Sequence, residues 1–235
     1  MKELPVNKTP NIAWITGANK GIGAALTQKG AELGFIIAAS SRSNSIIASH
    51  NIHPVECDVQ SVKSIENCYN NSLEKFGAID ILINNAGVAT FAKTWETSLE
   101  EADAMLNTNL RGMFLCTKTV LPDMINRKSG IIVNIQSVAA IKTFSNCSVY
   151  AASKAGALAM SRSLREEVRE FGIKIIDILL GATETDIWDS DSRNEFGNRM
   201  LQPSEIASIV WQTISMSTDS IHLEEIVVRP QLGDL

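Results

Sequence analysis

The chain contains no apolar run approaching the ~20 residues that a membrane-spanning helix needs. Its opening, Met1-Lys2-Glu3-Leu4-Pro5, has no apolar stretch after its charges, unlike a secretory leader, so the expected compartment is the cytoplasm. Nor is there an excess of positive charge: 21 Lys and Arg against 26 Asp and Glu leave a formal net charge of -5. That balance argues against nucleic acid or an anionic membrane surface as the main partner. No C-x-x-C pair occurs among Cys57, Cys68, Cys116 and Cys147, and in a reducing compartment such scattered cysteines read as small buried hydrophobes. Cys147 is set apart only by standing three residues before Tyr150, where it can border a pocket. His50 and His53 form an H-x-x-H without a third ligand, so no metal is expected. No linker, internal repeat or low-complexity tract interrupts residues 1–235, which read as one domain.

What is present is an ordinary globular composition, 45% hydrophobic and 20% charged over 235 residues, enough for one sizeable core. Apolar runs at Ile12–Ile15, Phe35–Ala39, His53–Glu56, Ile79–Ile83, Ile131–Ile135, Ile173–Leu179 and Glu225–Val228 alternate with helical patterns. Several of these runs are apolar throughout, as parallel strands buried on both faces are. Gly34 and Gly77 follow helical stretches at C′ positions, and Ser98-Leu99-Glu100-Glu101 opens a helix with a capping box. Pro203 suits a first helical turn. Long helices are expected over Ser98–Leu121 and Val149–Phe171. Repeated strand–helix units predict an α/β fold, a doubly wound parallel sheet of about seven strands with helices on both faces. Ligands of such sheets bind beyond the carboxyl ends of the strands, where strand order reverses.

The first run leads directly into Thr16-Gly17-Ala18-Asn19-Lys20-Gly21-Ile22-Gly23. In that loop Gly17 permits a turn, Gly21 lets the backbone approach phosphate, and Gly23 lets the following helix pack closely. The helix N-terminus then offers free N–H groups and a partial positive charge to a pyrophosphate. Further on, Tyr150 and Lys154 stand four residues apart in Tyr-Ala-Ala-Ser-Lys, on one helical face. An ammonium beside a phenol is expected to lower its pKa from about 10, so the pair reads as proton chemistry beside a bound dinucleotide. Ser137, at the end of the Ile131–Ile135 run, is in position to hold a substrate oxygen.

Taken in order, these motifs resemble the short-chain dehydrogenase/reductase superfamily, with its Rossmann-type fold, over nearly the whole chain. The resemblance implies that Asn19 and Ile22 belong with the glycines to the cofactor loop and that Asp58-Val59 contact the adenine. It implies that Asn84-Asn85-Ala86-Gly87 steady the sheet and border the adenosine ribose, and that Asn109 kinks a helix and supports a water and proton relay. Ser137, Tyr150 and Lys154 complete the implied catalytic tetrad with Asn109. After the sixth strand, Gly181-Ala182-Thr183-Glu184-Thr185 matches the nicotinamide turn, Thr183 by its backbone and Thr185 by its hydroxyl. The second strand runs into Ser40-Ser41-Arg42-Ser43 without a carboxylate. Ser41 stands where an NAD-type acid would be, while Arg42 can make charge-assisted bonds to a 2′-phosphate. Lys20 resembles the second basic residue of NADP-preferring members. NADP(H) is therefore expected over NAD(H).

The implied chemistry is NADPH-dependent reduction of an aldehyde, ketone or diketone to an alcohol, with Tyr150 as general acid. Two alternatives stay open: oxidative work as an alcohol or hydroxy-acid dehydrogenase, and a non-catalytic NADP-binding sensor. A homo-oligomer, dimer or tetramer, is implied through the long helices. Three departures stand out. Leu180-Gly181 replaces the family's Pro-Gly, which is expected to loosen the turn. The stretch between Arg42 and Asp58 is short, so the helix after the second strand is expected to be truncated. The chain closes with an Arg229-Pro230 tail rather than the glycine pair of acyl-carrier-linked ketoacyl reductases. The lid is expected over Asp186–Leu201, with Trp188, Phe196 and Met200, facing a wall of Ala139, Ile141, Phe144 and Val149.

Overall fold

The computed structural model describes residues 11–43, 45–218 and 220–234. Strand β1 (Ile12–Thr16) is buried along its whole length because its side chains feed two cores in turn. Ala13 and Ile15 join one apolar cluster, Ile12 and Trp14 the other, as the period of two along a strand requires. Both sheet faces being covered, the strand has no solvent side and its sequence shows no alternation.

The sheet has seven strands in the order β3-β2-β1-β4-β5-β6-β7, all paired in parallel. These are β2 (Ile36–Ser41), β3 (Ile52–Glu56), β4 (Ile81–Asn84), β5 (Gly130–Ser137), β6 (Ile173–Leu180) and β7 (Glu225–Val228). Order reverses between β1 and β4. Helix α1 (Gly21–Glu32) and helix α7 (Pro203–Met216) cover one face. They touch closely because Gly30 has no side chain: a Cβ there would lie 2.3 Å from Trp211 Cζ2. Trp211 in turn donates Nε1–H to the Leu26 carbonyl at 2.9 Å. Helices α2 (Val62–Phe76), α4 (Met113–Arg127) and α5 (Ser148–Val168) cover the other face. Two shorter helices, α3 (Leu99–Met105) and α6 (Ser190–Phe196), complete the single domain.

The helix expected over Ser98–Leu121 starts at the Ser98 capping box and runs on to Arg127. Pro122 does not stop it, lying on the exposed side of α4, where the lost bond leaves no buried group unpaired. Between α3 and α4 the backbone widens into a π-helical turn, Leu106–Gly112. The truncated helix expected after β2 is absent among the described residues, which pass from Ser41 to Ile52 without helix. Ser43, Ser45, Ser49 and Asn51 populate this stretch, and such side chains bond locally in competition with helix. Ser41 Oγ donates to the Ser43 carbonyl at 2.5 Å, and Ser49 and Ile52 exchange backbone bonds.

A polar chain crosses the core on the α4–α5 side. Asp177 of β6 is 0% exposed and Arg165 of α5 4%, with Arg165 Nη2 2.7 Å from Asp177 Oδ2. Ser161, Asn134 and Gln136 also donate to that carboxylate, and Asn84 Nδ2 reaches Asn134 Oδ1 at 2.9 Å. Arg165 extends the chain to the Glu224 carbonyl at the entrance to β7. Burial pushes the Asp177 carboxyl up, against the pull of its hydrogen-bond donors and of Arg165.

Candidate active site

A cleft of about 760 Å³ opens at the carboxyl ends of the strands. Its floor is the turn between β1 and α1. Gly17 and Gly21 have φ of +64° and +52°, the left-handed region that favours glycine. Gly23 is required for space: a Cβ there would sit 2.1 Å from the Gly17 carbonyl oxygen and 2.5 Å from Asn85 Nδ2. Asn85 holds the turn from the side, donating Nδ2–H to the Thr16 and Gly17 carbonyls at 2.9 and 3.0 Å. Thr16 Oγ1 accepts the backbone N–H groups of Asn85 and Ala86, both at 3.0 Å. Lys20 occupies the N-cap of α1 without making a side-chain cap. The first-turn N–H groups of α1 have no intrahelical acceptor and border open volume, which suits an anion such as a pyrophosphate. A dinucleotide fits this cradle.

At the other end, Ser137, Tyr150 and Lys154 all line the cleft. Ser137 closes β5; Tyr150 and Lys154 face it from α5. Lys154 is buried and donates Nζ–H to the Ile135 carbonyl at 2.8 Å. Burial lowers its pKa to about 8. Burial also pushes the Tyr150 phenol up to about 12, with the Ser137 hydroxyl drawing it partly back. The expectation that Lys154 would hold the phenol below its ordinary value is not met: burial disfavours the phenolate, and the Ser137 hydroxyl alone draws it back.

Of the four expected catalytic residues, Asn109 alone does not line the cleft. It sits behind it in the π-helical turn, accepting from Val88 N at 2.9 Å and donating to the Val88 carbonyl at 2.8 Å and to Ser153 Oγ at 3.0 Å. Ser153 Oγ–H in turn donates a hydrogen bond to the Tyr150 carbonyl at 2.7 Å. Asn109 and Lys154 also border a cavity of about 10 Å³, the size of a single water.

The remaining expected residues gather along the same cleft: Gly17, Asn19, Lys20, Gly21, Ile22 and Gly23; Ser41 and Arg42; Asp58 and Val59; Asn85, Ala86 and Gly87; Gly181, Thr183 and Thr185. Arg42 is exposed at its rim, and no carboxylate among the described residues pairs with it. The Lys20 ammonium is 3.5 Å from Asp186 Oδ2. With no helix among the described residues between β2 and β3, those residues add no helical wall to the end of the cleft at Ser41 and Arg42.

Of the expected pocket wall, Ala139, Phe144 and Trp188 line the cleft; Ile141, Val149, Phe196 and Met200 do not. Ile141 points outward, 53% exposed, and Met200 is packed away. Cys147 does line the cleft, and burial pushes its thiol up, so it is not a ready nucleophile. Sequence reasoning missed Phe91 and Asp234. Phe91 stacks on Trp188 with centroids 4.9 Å apart and meets the Tyr150 ring edge-on at 5.8 Å. It lies in a loop without periodicity, where nothing local marks it. Asp234 enters the cleft wall from the segment after β7.

A family model described as short chain dehydrogenase matches residues 11–195. The chain is 30% identical over 241 residues to a sepiapterin reductase of Chlorobaculum tepidum, covering 96% of this chain and 98% of that protein. Among solved structures, an actinorhodin polyketide ketoreductase with NADPH superposes with a TM-score of 0.85 at 26% identity, covering 96% of this chain and 98% of that one. A serine dehydrogenase complexed with NADP+ superposes with a TM-score of 0.84 at 25% identity, covering 92% and 94%.

Proposed function

Since this chain belongs to the short-chain dehydrogenase family, we propose that it reduces the carbonyl of an aldehyde, ketone or diketone to an alcohol at the expense of NADPH. The observation that carries the reading is the cleft itself, with an uncapped helix N-terminus at one end and the Ser137, Tyr150 and Lys154 side chains at the other. The sepiapterin reductase and the ketoreductase, whose names denote reduction, support the direction.

Backbone groups of Gly17–Gly23 would hold the pyrophosphate, Asp58 and Val59 the adenine, and Asn85–Gly87 the adjoining ribose. Arg42, aided by Lys20, would hold the 2′-phosphate; the missing carboxylate at the end of β2 and the NADP-containing relatives support that preference. Thr183 and Thr185 would face the nicotinamide carboxamide. When bound, the reduced nicotinamide supplies a hydride to the carbonyl carbon.

Tyr150 gives its phenolic proton to the carbonyl oxygen as negative charge grows there, and Ser137 donates a hydrogen bond to the same oxygen. A phenol near 12 holds its proton at neutral pH, so the proton is present to be given, and a charged Lys154 favours its release as the alkoxide forms. Lys154, still charged below about 8, stabilises the phenolate left behind and would bind the nicotinamide ribose. Asn109, fixed on Val88 and Ser153 beside the small cavity, supports resupply of the proton through a water. We place the protein in the cytoplasm, as a homo-oligomer built on its long helices.

The test is NADPH consumption across aldehydes, ketones, diketones and ketoacyl thioesters, with Tyr150→Phe as control. Turnover lost in Tyr150→Phe while NADPH still binds supports the reading. Near-normal turnover in that variant removes Tyr150 as proton donor, and no turnover on any carbonyl removes the reductase.

A further inference from the structure

Three loops meet where the cleft wall is made by the segment after β7. Gly181 has no room for a side chain: a Cβ would lie 2.6 Å from Pro230 Cδ and 3.3 Å from Arg229 Cα. Its N–H donates to the Val228 carbonyl at 2.8 Å. Beyond Pro230 the chain turns back, closed by Gly233 N–H on the Pro230 carbonyl at 2.9 Å. The turn carries the Asp234 side chain to a position only 7% exposed. There Arg229 grips the carboxylate with Nε at 3.0 Å and with Nη2. Lys142 Nζ closes at 2.5 Å on Oδ2, the oxygen that Arg229 Nη2 also contacts. Lys142 belongs to the loop after β5, anchored by its own N–H to the Val138 carbonyl at 2.8 Å. In the same loop the Ala139 N–H is held by Ser137 Oγ at 3.1 Å.

We infer that Arg229–Asp234 is a positioning element of the site: latched to Lys142 through Asp234, it wedges Pro230 against Gly181 and sets the spacing between the loop after Ser137 and the turn Gly181–Thr185. The inference rests on the reductase reading only for its kinetic consequence. Leucine at position 180 does not restrain φ as proline would; the adjoining Gly181 is braced from outside by Pro230. The turn expected to be loose is therefore supported, and the support comes from a segment remote in sequence. Lys142 and Arg229 keep their ends half-exposed, so solvent screens the latch and its loss loosens the wall without unfolding the protein.

The experiment compares Asp234→Ala, Lys142→Ala, the double variant and Lys142→Arg. Amide exchange at Gly181 in the ligand-free protein is measured alongside kcat, KM and cofactor affinity. Each alanine variant is expected to speed Gly181 exchange and to lower kcat about tenfold, well inside the ~100-fold cost of a 1 Å misplacement, with KM changed by no more than about twofold and cofactor affinity, which the Gly181–Thr185 turn shares with the distant pyrophosphate loop, weakened by no more than about threefold. The double variant is expected to be no worse than either single, and Lys142→Arg to restore both readouts. Unchanged Gly181 exchange overturns the inference, as does a KM increase confined to Asp234→Ala, which would make Asp234 a substrate contact. Exchange needs no turnover, so a wild-type protein inactive on every carbonyl counts against the reductase reading while the latch is still decided.

Discussion

Lys20 Nζ lies 3.5 Å from Asp186 Oδ2, so the glycine loop and the segment after β6 meet over the mouth of the cleft. Both ends are more than half exposed, 64% and 52%, and such a pair adds little stability. Asp186 also takes a hydrogen bond from Arg193 at 2.9 Å. Asp186 thus already shares the Lys20 charge, whereas Arg42 faces no carboxylate among the described residues.

Arg42 should for that reason dominate selection of the 2′-phosphate. Arg42→Asp is expected to lower the NADPH/NADH ratio of kcat/KM by roughly ten- to a hundredfold, from the ~1.5–3 kcal/mol of hydrogen bonds to a charged group. Lys20→Ala should lower it less. Steady-state kinetics with both cofactors decide, and an unchanged ratio in Arg42→Asp moves the phosphate contact elsewhere.

Gly23→Ala should damage the cradle directly. The added methyl would meet the Gly17 carbonyl at 2.1 Å and Asn85 Nδ2 at 2.5 Å, atoms tied together by the Asn85 side-chain bonds to the Thr16 and Gly17 carbonyls. Cofactor affinity, followed by fluorescence titration, is expected to fall by about tenfold or more, since ~1.4 kcal/mol is a factor of ten. Wild-type affinity would mean that the loop can shift without cost.

Reductive turnover should decline as pH rises through about 8, where Lys154 loses its proton. The sign follows from burial: the folded protein favours the neutral amine, so the ammonium that supports Tyr150 is present below that pH and absent above it. Tyr150, near 12, stays protonated throughout. Lys154→Arg, charged at every accessible pH, should lack this limb in a pH profile of kcat. A limb that survives the substitution belongs to another group.

Arg165→Met should be the most destabilising of these changes. It leaves Asp177, at 0% exposure, without its counter-charge, at a cost of about 3–5 kcal/mol. Adding Asp177→Leu to Arg165→Met should recover part of the loss. Urea denaturation of the three proteins measures both effects, and a double variant weaker than the single would show that the pair is not the relevant unit.

Much of the site was legible because its determinants are local. The glycine turn, the Tyr150–Lys154 spacing and the strand-end serine each declare themselves within a few residues, and short-range geometry carries them into the fold. What spacing could not convey was environment. It put Lys154 near Tyr150 but not the burial that raises one group and lowers the other. Phe91, Asp234 and the Asp177–Arg165 pair were invisible for a related reason: each acquires its meaning from a partner on another element. The absent helix after β2 shows the opposite limit. Length suggested a shortened helix, while the serines that occupy the stretch favour local bonds over any helix at all.

The polar chain from Asn84 through Asn134 and Asp177 to Arg165 has a consequence for alignment. Parallel strands rich in isoleucine carry little that says where one should stop beside the next. A slide of one residue between β5 and β6 would turn Asp177 to the opposite face, away from Arg165, Ser161 and Asn134, and strand a charge in the hydrocarbon interior. The chain thus acts as a key cut for a single offset: it excludes neighbouring registers of β4, β5 and β6. Because β5 ends at Ser137 and β6 at Leu180, just before Gly181, that one offset also sets how far apart the two walls of the cleft begin.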